Sequence, residues 1–340
     1  MIHETFSDDE LLRGYRTMLL VRRAEERVVR QYAEQNADFA RGVQPAHAIK
    51  CPTHLSIGQE GAAVGVCQEL TVDDVAISTH RCHAHYLAKG GDLRAMMAEL
   101  FGKSTGCARG KGGSMHLVDP DVGMLGASAI VGGSIPLAVG AALSAQMQGR
   151  TRVAVAFFGD GAVEQGVFHE SLAFAALRRL PVLFVCENNF YATLSHVEDR
   201  QLVAIPQRAT GLGVASVTAD GSDLADVLHA ARGAVRRARA GEGPTLIEVR
   251  AYRWMSHVGT EPDTGRMKRS AEELALWKDR CALAVLRVRL AARGVPAATL
   301  DAMGTEVDAA VEDAVEFARR SPAPSPEDLF THLAGEGAPS

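Results

Sequence analysis

The chain has 340 residues, 47% of them apolar, which is enough to build a sizeable buried core and excludes a disordered or fibrous protein. Lys and Arg number 36 against 41 Asp and Glu, a net charge of −5 without a basic block, so a nucleic-acid partner is not expected. The six cysteines are scattered, and none forms a Cys-x-x-Cys pair, which excludes a zinc ribbon and a disulfide framework and fits a reducing compartment.

In chain order, Asp8, Asp9 and Glu10 follow the cap residue Ser7, and Leu11, Leu12, Tyr15, Met18 and Leu19 recur at helical spacing. This predicts an amphipathic N-terminal helix over residues 7–35. The acidic opening lacks the basic, then apolar, character of a leader, so a cytoplasmic location is expected. Residues 36–52 show neither period and read as a loop that orders only against a partner. A short helix over Leu93, Met96, Met97, Leu100 and Phe101 precedes a glycine-rich loop at residues 106–113. Residues 122–149 carry no charge and exceed the roughly 20 residues a membrane-spanning helix needs. Gly, Ala, Ser and Gln dominate there and Pro136 interrupts, so no membrane span is expected, and residues 135–146 read as a helix packed against other protein.

The central region sets the class. Residues 153–158 form an apolar run of buried-strand length, Gly159-Asp160-Gly161 a turn, residues 163–179 a helix, and residues 182–186 a second strand. A helix at residues 224–239 leads to a third apolar run at 245–252. Such alternation predicts an α/β fold with a doubly wound parallel sheet. An amphipathic helix at about 271–293, another at 300–320 and a Pro-rich 321–326 segment complete the chain. No repeat or boundary divides it, so residues 1–340 are expected to form one domain with an N-terminal helix and a C-terminal helical tail.

Ligands of open parallel sheets sit at the carboxyl ends of strands, and both Gly159-Asp160-Gly161 and Glu187-Asn188-Asn189 follow one. Glycines let backbone approach phosphate oxygens, and a helix starting near Ala162 offers unpaired N–H groups to an anion. Asp160 offers a hard carboxylate and Asn189 a neutral oxygen to magnesium, which retains phosphate oxygens as well. Gly-Asp-Gly alone is a common turn. The chain has only three asparagines, however, and two of them stand together just beyond the second strand. No Gly-x-Gly-x-x-Gly follows an early strand, which disfavours a nicotinamide-binding fold.

Gly159-Asp160-Gly161, 26 residues and then Asn188-Asn189 resemble the thiamine diphosphate fingerprint. Around it, in order, stand His54-Leu55-Ser56-Ile57-Gly58-Gln59-Glu60, Thr79-His80-Arg81-Cys82-His83 and Gly110-Lys111-Gly112-Gly113-Ser114-Met115-His116. Ala129-Ile130-Val131-Gly132 and Tyr252-Arg253-Trp254-Met255-Ser256-His257 follow. Together, from the first helix to Phe330, these resemble the alpha subunit of the decarboxylating component of 2-oxo acid dehydrogenase complexes, of pyruvate, branched-chain or acetoin type.

The resemblance implies the thiamine diphosphate-binding fold, with Mg2+ held by Asp160, Asn189 and the carbonyl of Tyr191. It places the backbone of Gly159, Gly161 and Ala162 on the diphosphate and makes Arg81 the phosphate clamp, with His80 where the family often has Tyr. Ala129, at a position usually Gly, and Val131 would line the cofactor ring. His257 would contact the diphosphate and the reacting centre from a lid at residues 258–265, and His54 would lie near the substrate carbonyl; these two are the implied catalytic residues. The family keeps its activating glutamate on a beta chain, which implies an assembly of two alpha and two beta chains, an alpha chain inert alone, and acyl transfer to a lipoyl-bearing acyltransferase component. A regulatory serine after the site histidine is replaced by Val258.

Two other readings stay open. Met255-Ser256 and Thr193-Leu194 differ from the common pyruvate pattern and leave room for ketol-unit transfer or for an unusual 2-oxo acid in a biosynthetic pathway. A non-catalytic scaffold is disfavoured by the intact Asp160, Asn189, Arg81 and His257. His80, His83 and His85 fit no helix face as a metal triad, and Glu60, Glu164 and Glu187 are expected to orient backbone or pair locally.

Overall fold

The structure, a computed structural model, describes residues 6–262 and 269–331. Its first helix, α1 (Asp8–Ala40), starts in a capping box: Ser7 Oγ accepts from the Glu10 N–H at 3.2 Å, and the Glu10 carboxylate accepts from the Ser7 N–H at 2.8 Å. Leu11, Tyr15, Met18, Val21 and Val28 form its buried face. The helix outlasts the expected end at residue 35, and contacts within the chain hold part of the loop after it. The Gln35 side chain donates to the Ile49 carbonyl and accepts from the Ile49 N–H, both at 2.9 Å.

The next elements are α2 (Glu60–Cys67), β1 (Val75–Thr79), α3 (His83–Ala88), α4 (Leu93–Leu100), β2 (Met124–Ser128), α5 (Ser134–Met147), β3 (Ala154–Gly159) and α6 (Gly166–Arg178). Then come β4 (Val182–Asn188), α7 (Ile205–Gly211), β5 (Ala215–Asp220), α8 (Leu224–Arg239), β6 (Thr245–Arg250), α9 (Ala271–Asp279), α10 (Ala282–Ala292) and α11 (Ala297–Arg320). The six strands run parallel in the order β2-β1-β3-β4-β6-β5, as the doubly wound reading requires.

Successive residues of a strand face opposite ways, and each face has its own core. Val155, Phe157, Leu183, Val185, Ile247 and Val249 pack under α1, α2, α8, α10 and α11. Ala154, Ala156, Phe158, Val182, Phe184 and Leu246 pack under α5, α6 and α7. The central strands β3 and β4 are thus buried at nearly every position, whereas β5, at the edge, is only half buried. Strands β1, β2 and β5 were not among the expected elements. The expected helix over 271–293 is two: the chain breaks at Arg280 and Cys281, where Arg280 reaches Asp220 at 2.6 Å.

The glycine-rich loop closes around a single side chain. The Glu99 carboxylate, fully buried on α4, accepts from the N–H groups of Ala108, Gly110, Gly112 and Gly113 at 2.8–2.9 Å. Among the described residues no helix is long and apolar enough to cross a membrane.

Candidate active site

Parallel pairing sets Gly159 beside Glu187, so the turn after β3 and the Asn188-Asn189 pair ending β4 lie next to each other. The chain leaves β1 for the outer strand β2 and returns on the other side of β1 as β3, which opens a crevice at the carboxyl ends of these strands. One cavity there is lined by His80 and Arg81 after β1, Val131 after β2, Gly159 to Ala162 after β3, and Asn189 and Tyr191 after β4. His257, beyond β6, completes this set, and Gln59, Glu187 and Thr193 also line the cavity. Ala129 is not part of the lining. His54 stands one layer back, with its ring against those of His80 and His257.

Asp160 is buried, which pushes its carboxyl up from the ordinary carboxylate range, while the Arg200 guanidinium paired with it acts the other way. Arg200 also reaches Glu164 at 3.1 Å, and the Gln201 amide donates to the Asp160 carbonyl at 3.1 Å and to Glu164 at 2.7 Å. Neither residue carries a sequence signal: both lie about forty positions downstream in a loop, and only the fold returns them to the turn. Both asparagines fold the chain after β4. Asn188 Oδ1 accepts from the Phe190 N–H at 3.0 Å and Asn189 Oδ1 from the Tyr191 N–H at 3.2 Å, with Phe190 at φ +68° between them. A non-glycine residue in that region costs about 1–2 kcal/mol. Asn189 Nδ2 donates to Gln59 Oε1 at 2.7 Å, which couples this turn to the His54–Glu60 segment.

That segment turns at Gly58, whose φ is +98° and where a Cβ would sit 2.2 Å from the Tyr252 carbonyl, so glycine alone fits. Arg81, also buried, donates to the Leu55 carbonyl at 2.6 Å and the His257 carbonyl at 3.2 Å and thereby ties the strand ends together. Residues 255–262 fold back on themselves: the Ser256 N–H donates to the Glu261 carbonyl at 2.9 Å, and the Gly259 N–H to the Thr53 carbonyl at 2.9 Å. Residues 263–265 of the expected lid lie outside the described residues.

The other polar groups sort as expected. Glu60 pairs with Arg22 at 2.5 Å, Glu164 with Arg200, and Glu187 with the buried His85 at 3.1 Å. His83 lies between Glu25 and Ser114 at 3.1 and 2.8 Å, and His85 also contacts Ser78 at 2.8 Å, so both are structural. His54, His80 and His257 instead converge, with ring centres 4.7, 5.2 and 5.3 Å apart. Burial, and then the charge of Arg81, lower the His54 pKa to about 3 and that of His80 to about 2, so both rings are neutral near pH 7. Among the described residues, His54 Nδ1 and Gln59 Nε2 are buried without a hydrogen-bond partner, and both are available to a ligand.

Against known proteins, residues 17–327 match the family model described as the dehydrogenase E1 component. The alpha subunit of acetoin:2,6-dichlorophenolindophenol oxidoreductase from Cupriavidus necator is 41% identical over 326 residues, covering 96% of this chain and 94% of that protein. Its namesake from Bacillus subtilis is 41% identical over 330 residues, 97% and 95% of the two chains. The pyruvate dehydrogenase E1 component subunit alpha of Zymomonas mobilis is 36% identical over 327 residues, 96% of this chain and 88% of that one.

Proposed function

The chain belongs to the dehydrogenase E1 component family, and from that membership we propose that it is the alpha subunit of a thiamine diphosphate-dependent 2-oxo acid dehydrogenase of acetoin or pyruvate type. It is an oxidoreductase that works with a beta subunit. The observation that carries this reading is the convergence, in one cavity, of a buried carboxylate, an asparagine amide, a buried arginine and a histidine from four strand ends.

These residues fit the cofactor. Asp160 and Asn189, with the Tyr191 carbonyl, would hold Mg2+ through hard oxygens, a set that matches a small octahedral cation retaining phosphate ligands. The turn after β3 begins at Gly159 without a side-chain cap, which leaves the N–H groups near Gly161 and Ala162 for a diphosphate. Arg81 would clamp a phosphate with its planar fork, beside His80, and the unpartnered Gln59 amide would add a donor. Val131 would face the ring, while Ala129, outside the lining, would not contact it directly. When bound, thiamine diphosphate supplies a thiazolium carbon that adds to the keto carbon and holds the electrons released on C–C cleavage. His257 and His54 would hold and move protons there, His54 as a neutral ring.

The same reading takes residues 1–340 as one domain, places the chain in the cytoplasm in an assembly of two alpha and two beta chains, and hands the acyl unit to a lipoyl-bearing carrier. Co-expression with the beta chain, followed by assay of acetoin cleavage with an artificial acceptor and of CO₂ release from pyruvate, tests it. Turnover of acetoin, pyruvate or both that requires thiamine diphosphate is expected; robust turnover by this chain without a partner would overturn the subunit reading.

A further inference from the structure

The three histidines of the site come from three distant segments: His54 from the loop before α2, His80 from the end of β1 and His257 from the segment beyond β6. Their rings form a nearly equilateral triangle, with centres 4.7, 5.2 and 5.3 Å apart and mutual tilts of 68°, 84° and 53°. One ligand atom from each ring can be chosen so that all lie within 4.8 Å of one another. Imidazole binds zinc at about 2.0–2.1 Å, and three rings on one tetrahedral ion place their centres about 5 Å apart, the spacing found here. Closing onto an ion brings these nitrogens from within 4.8 Å of one another to the separation of about 3.3 Å that ligands on one tetrahedral zinc take.

We propose that His54, His80 and His257 form a binding site for one zinc-class divalent transition-metal ion in the wall of the cavity, separate from the oxygen ligands of Asp160 and Asn189. Three protein nitrogens with an open fourth position are the donor set of an accessible zinc site, whereas magnesium selects oxygen. His54 and His80, which burial holds neutral, meet the protonation requirement, because metal ligation needs neutral imidazole. Among the described residues, Nδ1 of His54 is buried and has no hydrogen-bond partner, and a metal would satisfy it. Arg81 and Arg253 add positive charge around the cluster, so the ion is expected to carry an anion in its open position and bind as a pair of low net charge. A metal there would occupy space that the Proposed function assigns to the diphosphate, so zinc and thiamine diphosphate should exclude each other. That consequence rests on the cofactor reading, and metal binding by the cofactor-free chain does not.

Calorimetric titration of the full chain, stripped of cofactor and divalent metal, with zinc chloride tests the site, together with X-ray absorption at the zinc edge. The expected result is one zinc per chain with three nitrogen scatterers at about 2.0 Å, an affinity at least tenfold weaker in His80→Ala, and no matching heat with magnesium chloride. His54→Asn is the second variant, used where His80→Ala loses its native circular dichroism, and it should weaken zinc to the same degree. Absence of zinc binding, sulfur scatterers from cysteine, or unchanged affinity in a folded variant would overturn the proposal.

Discussion

At Asp160 the fold holds a carboxylate where burial disfavours its charge, and Arg200 beside it offsets part of that cost. Asp160→Asn keeps the shape and removes the charge, so the affinity for magnesium together with thiamine diphosphate should fall at least 100-fold in calorimetry, with melting behaviour nearly unchanged. Unaltered affinity would take Asp160 out of the site. The histidines set a second residue-scale expectation. His54 and His80 have folded pKa values near 3 and 2, below the 6.5 of an unfolded chain, so the unfolded state binds more protons between these limits. Stability of the cofactor-free chain should therefore be complete above about pH 6.5 and decline as pH falls below it. His80→Asn should flatten that decline when unfolding is followed between pH 7 and 5, and a slope identical to that of the parent chain would contradict the burial argument.

At the scale of elements, the glycine-rich loop depends on the Glu99 carboxylate on α4. Four N–H donors face a fully buried acceptor, so Glu99→Gln replaces one acceptor oxygen with an amide that opposes two of them. A loss of about 3 kcal/mol in chemical denaturation is expected, with early proteolysis in residues 106–113. Unchanged stability would mean that the loop holds its shape without this anchor. The elements also show which features local pattern carries. Strands β3, β4 and β6 and helix α8 were legible because each is apolar or periodic within its own span. Strand β2 (Met124–Ser128) has Gly, Ala and Ser in five residues and exists only by pairing with β1, and β5 is a half-buried edge, so neither has a local signature. The site divides in the same way. Asp160, Asn189, Arg81 and His257 stand in motifs with strand-end context, whereas Arg200, Gln201 and the triangle of His54, His80 and His257 are long-range contacts that no spacing encodes.

For the whole molecule, the uncharged stretch reads differently from its composition. Helix α5 buries Ile135, Ala138, Val139, Ala142 and Ala145 but leaves Leu137 58% and Met147 79% exposed. Ile130, at 74%, and Leu177, at 79%, are further large apolar side chains that reach solvent. We propose that these side chains meet the further chains of the assembly. Leu137→Arg should shift sedimentation of the co-expressed complex toward free chains while the isolated chain keeps its circular dichroism. Intact complexes would place the interface elsewhere.

Val131 belongs to the cavity lining and is nonetheless 49% exposed, and we propose that a further chain of the assembly covers it. A pocket whose wall is supplied by another chain obeys mass action: its affinity for a ligand includes the free energy of association, and ligand and partner strengthen each other's binding equally. Dilution then acts as an inhibitor. Specific activity of the co-expressed enzyme should fall as it is diluted through its assembly constant, and saturating thiamine diphosphate should move that midpoint to lower protein concentration, so the supply of a small molecule would set how much of the enzyme exists in its assembled form.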